Sequence, residues 1–187
     1  MAGDLDQNNW KDMLKGKFPQ YFSGVRVLDI GSCDMNGTNK PWFTNCEYIG
    51  LDIKAGPNVD VVSIAHEYKA PPQSFDVVIS TNQLEHDMYW DKTLLKMYEL
   101  LKSNGLLVIQ CPHNRGEHGT ITNSPADSLT TQIKDDFWAG WYKNFDIQEI
   151  KAWLDVDHKF SLYDISYQPL ADQRDIYFWG IKGIGKY

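Results

Sequence analysis

The stretch VLDIGSCDMNG, residues 27–37, decides the fold. It belongs to an apolar, partly β-branched run from Val25 to Ile30, interrupted by Arg26 and Asp29, and then turns at Gly31. A short run of this kind suits a strand buried on both faces of a parallel sheet, which has no solvent-facing side to impose alternation. In open α/β sheets ligands settle beyond the carboxyl ends of the strands, so Asp29 and Gly31 stand where a ligand would be met. Glycine lets the backbone approach a ligand closely. The same turn also serves as a bare strand-to-helix connection, so its meaning depends on the segments downstream of it.

Working outward, four more runs read as strands: Tyr48 to Ile53, Val59 to Val62, Phe75 to Ile79 and Leu106 to Ile109. Residues 91–102 carry Leu94, Leu95, Tyr98 and Leu101 on one helical face and close on Lys102-Ser103-Asn104-Gly105, a basic last turn with a glycine stop. Strand, helix, strand in that order is a βαβ unit with a right-handed crossover. Ahead of it, Trp10, Met13 and Leu14 predict a leading helix over 7–16. Residues 112–145 are rich in Gly, Asn, Ser, Thr and Asp and show little periodicity, and a stretch that long is usually functional or mobile. Gln148 to Leu154 reads as a helix, and Phe160 to Tyr167 and Ile176 to Ile181 as strands joined across Pro169-Leu170-Ala171-Asp172. The expectation is an α/β fold: a doubly wound, mostly parallel seven-stranded sheet with an antiparallel C-terminal hairpin. No repeat or linker divides the 187 residues, so they read as one domain.

Composition narrows the partners. A net charge of −7, with 18 Lys and Arg scattered along the chain, offers no basic patch for a polyanion, so nucleic acid is disfavoured. No apolar run approaches the roughly 20 residues of a membrane span. The first residues, with Asp4 and Asp6, do not read as a signal peptide. Three cysteines without a CxxC pair suggest a reducing compartment, and a soluble, cytoplasmic protein is expected. Nothing in the sequence speaks to oligomeric state.

Two further segments bear on the turn. In YIGLDI, residues 48–53, Asp52 ends the second strand about 20 residues after Gly31, where an acid can take both ribose hydroxyls of an adenosine. In FDVVISTNQLEH, residues 75–86, Ser80 and Thr81 end the fourth strand and Glu85, His86 and Asp87 follow over the same sheet edge. Together with LLKSNGLLVI, residues 100–109, these segments resemble class I methyltransferases that use S-adenosyl-L-methionine (SAM), in particular the type-11 methyltransferase domain. The resemblance covers about residues 24–112, four motifs in order, and implies a Rossmann-like fold. EHGT, residues 117–120, and the terminal DIYFWGIKG also look like one subgroup of the family. The sequence departs from the family at its glycine turn, where Cys33 stands in place of the second glycine of G-x-G-x-G. No NPPY-like segment follows the fourth strand, which sets it apart from amino-directed DNA methyltransferases.

By resemblance, Gly31 and Ser32 lie along the methionine part of SAM and Asp52 on the ribose, with Asp29 also among the cofactor-binding residues. Ile53 packs on the adenine, Ser63 and Ile64 flank its edge, and Thr81 closes the pocket near the methionine carboxylate. The expected acceptor is a small molecule or sugar, with a protein side chain left open, and residues 112–145 read as an acceptor-side region or lid. A proton taken from the acceptor needs a base near neutrality, which makes His86 the first candidate and His113 and His118 the next. Trp138, Trp141 and Tyr142 either line the acceptor pocket or form a satellite core. Cys111, His113 and His118 match no zinc spacing, and no metal is expected. Two rivals stand beside this reading. One is a methyltransferase fold that binds without chemistry, left open by Cys33; the other is a nicotinamide-dependent oxidoreductase, which would want G-x-G-x-x-G at the first turn.

Overall fold

The structure, a computed structural model, describes residues 5–35, 37–168 and 172–184, with side chains from residue 8 onward. Asn36 of the glycine turn and residues 169–171 of the expected hairpin link lie outside the described residues. Seven strands form one sheet: β1 (Arg26–Ile30), β2 (Glu47–Asp52), β3 (Val61–Val62), β4 (Phe75–Thr81), β5 (Leu101–Pro112), β6 (Phe160–Gln168) and β7 (Asp175–Lys182). Their order is β3-β2-β1-β4-β5-β7-β6. The first five run parallel, and β7 enters antiparallel between β5 and β6. This is the Rossmann-like sheet with a C-terminal hairpin that the strand pattern predicts.

Continuous apolar runs have a direct cause here. Successive residues such as Val27 and Leu28, Val77 and Val78, and Leu106 and Leu107 point to opposite faces, and each face meets its own hydrophobic layer. On one face Leu28, Val78 and Leu107 pack with Leu94 and Met97 of α2 (Trp90–Leu100) and Ile150 and Leu154 of α4 (Ile147–Leu154). On the other, Val27, Val77 and Leu106 pack with Trp10 and Leu14 of α1 (Leu5–Lys17) and with Phe18, Phe22 and Phe43.

Several elements differ from the sequence reading. Helix α2 stops at Leu100, and Leu101 already pairs with Phe75 while Leu106 pairs with Val77, so residues 102–105 loop out of β5 rather than cap the helix. The helix end is held from elsewhere: the Lys182 ammonium on β7 donates to the carbonyls of Tyr98 (2.7 Å) and Leu101 (2.8 Å). Lys102 pairs instead with Asp76 at 2.7 Å. Residues 112–145 contain only 3₁₀ turns and the four-residue α3 (Asp136–Ala139), and a short α5 (Val156–Lys159) follows α4. The crossover from β1 to β2 holds a 3₁₀ turn, Lys40–Trp42, and no α-helix among the described residues. No helix among the described residues is long and apolar enough to cross a membrane.

Candidate active site

Strand order reverses between β2-β1 and β1-β4, and this switch point is where open α/β sheets leave a crevice beyond their carboxyl ends. A cavity of about 570 Å³ lies there, in the size range of small-ligand sites. Asp29, Gly31, Ser32, Asp52, Ile53, Ser63, Ile64 and Thr81 all border it.

The turn after β1 is tied to the end of β2. Leu51 O accepts from Gly31 N (2.9 Å) and Ser32 N (3.2 Å). The Asp52 carboxylate accepts from Cys33 N at 3.0 Å and from its neighbour Ile53 N at 2.7 Å. Each oxygen keeps a free lone pair for a ligand hydroxyl. Burial pushes the Asp52 pKa up, and the two amides partly offset this. Gly31 is needed twice over. Its φ is +80°, and a Cβ there would collide with the Gln83 side chain. Cys33 finds room because a glycine faces it: a Cβ on Gly56 would come within 2.5 Å of the Cys33 sulfur. The thiol thus packs on the loop after β2, and the turn stays at the cavity edge.

Below the turn, Asp29 is buried in a polar cluster that sequence reasoning missed. Its carboxylate accepts from Asn39 Nδ2 (3.2 and 3.3 Å) and from the Tyr48 hydroxyl. Asn39 Nδ2 also donates to Thr81 Oγ1 (3.1 Å), and Asn39 Oδ1 accepts from the Lys11 ammonium (2.9 Å). Burial pushes the Asp29 pKa up to about 6, with Tyr48, Asn39 and Lys11 pulling it back. Asn39 sits in the irregular crossover, where no periodicity marks it as the hub joining α1, β1 and β4.

At the other end, the three candidate histidines separate. His86 and His118 border the cavity with ring centroids 5.4 Å apart, and the Tyr142 ring lies against both (5.7 and 5.0 Å). His113 is absent from the cavity wall; its Nδ1 is 2.6 Å from Phe145 O and its ring packs on Tyr167. Burial, reinforced by His118, lowers the His86 pKa to about 3, so its ring is neutral at pH 7. Behind it, burial raises the Glu85 pKa to about 7, partly offset by its own amide and by Arg115. Trp138 borders the cavity and donates from Nε1 to His86 O (2.8 Å), whereas Trp141 packs against the main core. Residues 112–145 therefore form one wall of the cavity. Cys111 is buried in the core.

A Rossmann-like sheet, a turn and carboxylate knitted at its switch point, and a walled cavity beside them define a class. A family model described as a methyltransferase domain matches residues 6–157. The chain belongs to that family. Its fold is shared with the 1,6-didemethyltoxoflavin-N1-methyltransferase of Burkholderia thailandensis, solved with 1,6-didemethyltoxoflavin and S-adenosylhomocysteine (TM-score 0.66, 15% identity, 97% of this chain and 80% of that one). It is shared also with a SAM-dependent methyltransferase from Archaeoglobus fulgidus (TM-score 0.57, 21% identity, 94% of each chain). The cyclase SpnF has the same fold too (TM-score 0.64, 12% identity, 96% of this chain and 82% of that one). At such identities the likeness concerns the fold. No curated protein matches the sequence.

Proposed function

We propose that this chain transfers the methyl group of SAM to a small-molecule acceptor. One observation carries the reading: the Gly31 turn and the Asp52 carboxylate are hydrogen-bonded into a single unit that faces one cavity at the switch point. The residues present fit the cofactor. Asp52 has lone pairs to spare for a ribose, Ile53 and Ile64 give the same stretch of wall an apolar surface for a planar base, and Ser63 stands beside them. Gly31 and Ser32 would hold the amino-acid end, with Thr81 and Asp29 on the same cavity wall.

When bound, SAM supplies a methyl group already activated by its sulfonium. The chain's own task is alignment, worth up to about 7–11 kcal/mol of barrier. Trp138 and the surrounding wall exclude water, and His86 and His118 face the space left for the acceptor. Several features support a small acceptor: an enclosing wall, a net charge of −7, and the small molecule held by the Burkholderia thailandensis neighbour. Three free cysteines support a reducing, cytoplasmic setting.

Calorimetry tests the reading. SAM and S-adenosylhomocysteine are expected to bind and NAD is not. Asp52→Ala is expected to weaken binding about 10- to 100-fold, the loss of charge-assisted hydrogen bonds worth roughly 1.5–3 kcal/mol. Binding of NAD alone, or indifference to SAM, overturns it. Binding with no turnover across an acceptor panel would select the non-catalytic rival.

A further inference from the structure

We propose that Glu85, His86 and His118 form a site for one divalent cation of the zinc class, open toward the cavity. This reverses the expectation of no metal, which rested on spacing in sequence. Among the described residues these three are the grouping of ligating side chains that converges, each offering a donor atom within 4.8 Å of the others. Ligands about 2.1 Å from a tetrahedral ion stand roughly 3.4 Å apart, so binding draws the set inward by small side-chain shifts.

The second observation is burial without partners. Glu85 is 1% exposed and His86 5%. Neither Glu85 carboxylate oxygen accepts a hydrogen bond from another residue, and His86 Nδ1 and the neighbouring Tyr142 hydroxyl have no partner among the described residues. Buried acids are ordinarily paired or bound to a metal. The nearby cation does not serve Glu85, because Arg115 is committed to Asp175, donating from Nε and Nη2 at 2.5 Å each. His118 is also prepared as a ligand. Its Nδ1 lies 2.9 Å from Gly116 O, so that nitrogen carries the proton and Nε2 is left with its lone pair.

The donor chemistry selects the ion. Two imidazoles and one carboxylate suit Zn²⁺, Co²⁺ or Fe²⁺, whereas Mg²⁺ and Ca²⁺ want oxygen ligands throughout. Three protein ligands leave a coordination position open. His86 and His118 border the cavity, so that position faces it. There it would take an oxygen or nitrogen of the acceptor, a consequence that rests on the methyl-transfer reading; the site itself does not.

The test uses tag-free protein, stripped with a chelator and titrated with Co²⁺ by visible absorption, then with Zn²⁺ in competition. One equivalent is expected to bind and Zn²⁺ to displace Co²⁺. His118→Ala, at a half-buried position, and Glu85→Gln are each expected to weaken binding at least about tenfold with the thermal unfolding transition retained. His158→Ala, on the exposed surface, should leave it unchanged. Failure to take up Co²⁺ or Zn²⁺ at micromolar concentration, or affinity untouched by His118→Ala, overturns the site. Uptake of one ion by a protein that ignores S-adenosylhomocysteine sustains it and sinks only the methyl-transfer reading.

Discussion

Asp29 carries the clearest consequence of burial on the cofactor side. It is 1% exposed, and removal from water lifts its pKa from 3.8 to about 6 despite the Tyr48 and Asn39 hydrogen bonds. Between about pH 4 and pH 6 the folded chain therefore holds a proton on this group that the unfolded chain has lost. Stability then falls as pH rises through that window, and the contribution is fully present only below the unfolded pKa. The span of the shift corresponds to about 3 kcal/mol. Asp29→Asn removes the titration. Urea unfolding of parent and variant at pH 4 and pH 7.5 should show the difference between them moving in the variant's favour by about 2–3 kcal/mol on going to the higher pH. A difference that stays constant with pH would mean that folding leaves the Asp29 pKa unshifted. Comparing the two proteins at each pH cancels the packing cost of the substitution itself.

At the scale of elements, helix α2 shows what determines its length. It ends at Leu100 without a glycine cap, and the Lys182 ammonium from β7 satisfies the Tyr98 and Leu101 carbonyls. Lys182→Met keeps the aliphatic stem and removes both hydrogen bonds. The expected loss is about 2–3 kcal/mol, the worth of hydrogen bonds from a charged donor. That would lower the midpoint of a thermal melt by roughly 4–12 °C in a chain of this size. An unchanged melting temperature would show that the helix end is held by other contacts. The same junction shows where the sequence is legible. Strands β1, β4 and the central part of β5 can be read because hydrophobic layers on both faces demand unbroken apolar runs. The cofactor-side residues can be read because β1 and β2 deliver them by position, one at each strand end. Three features could not be read: Lys182 as a cap, Asn39 as the link from Lys11 to Thr81, and Glu85 beside His118. Each joins residues more than 25 positions apart through side-chain geometry alone. His113 misled for the converse reason. It follows β5 just as a catalytic residue should, yet its ring turns to Phe145 O and Tyr167.

For the molecule as a whole, the question is what attaches the irregular wall, residues 112–145, to the sheet. Backbone bonds do part of this: Phe145 N donates to Pro112 O (2.8 Å) and Lys143 N to Glu85 O (3.0 Å). The strongest tie is electrostatic. Arg115 grips Asp175, at the start of β7, with both limbs of its guanidinium, and Asp175 is fully buried and also accepts from Gln110 Nε2 (3.3 Å). Arg115 is anchored in turn within the wall, where Asn144 Oδ1 accepts from its amide and Asn144 Nδ2 donates to its carbonyl. One pair thus couples the wall beside His118 to the antiparallel hairpin. Arg115→Ala strands a buried carboxylate, at an expected cost of about 3–5 kcal/mol. Adding Asp175→Asn removes the stranded charge, so the double variant should be more stable than Arg115→Ala alone and the two losses should not add. Urea denaturation of the four proteins in the cycle gives the coupling. Calorimetry with S-adenosylhomocysteine gives the functional side: the double variant is expected to bind less tightly than the parent, because the cavity wall has lost its anchor even where the charge has been relieved. Additive losses would show that the pair does not hold the wall. Restored stability with undiminished cofactor affinity would place the anchoring in the backbone bonds at Pro112 and Glu85.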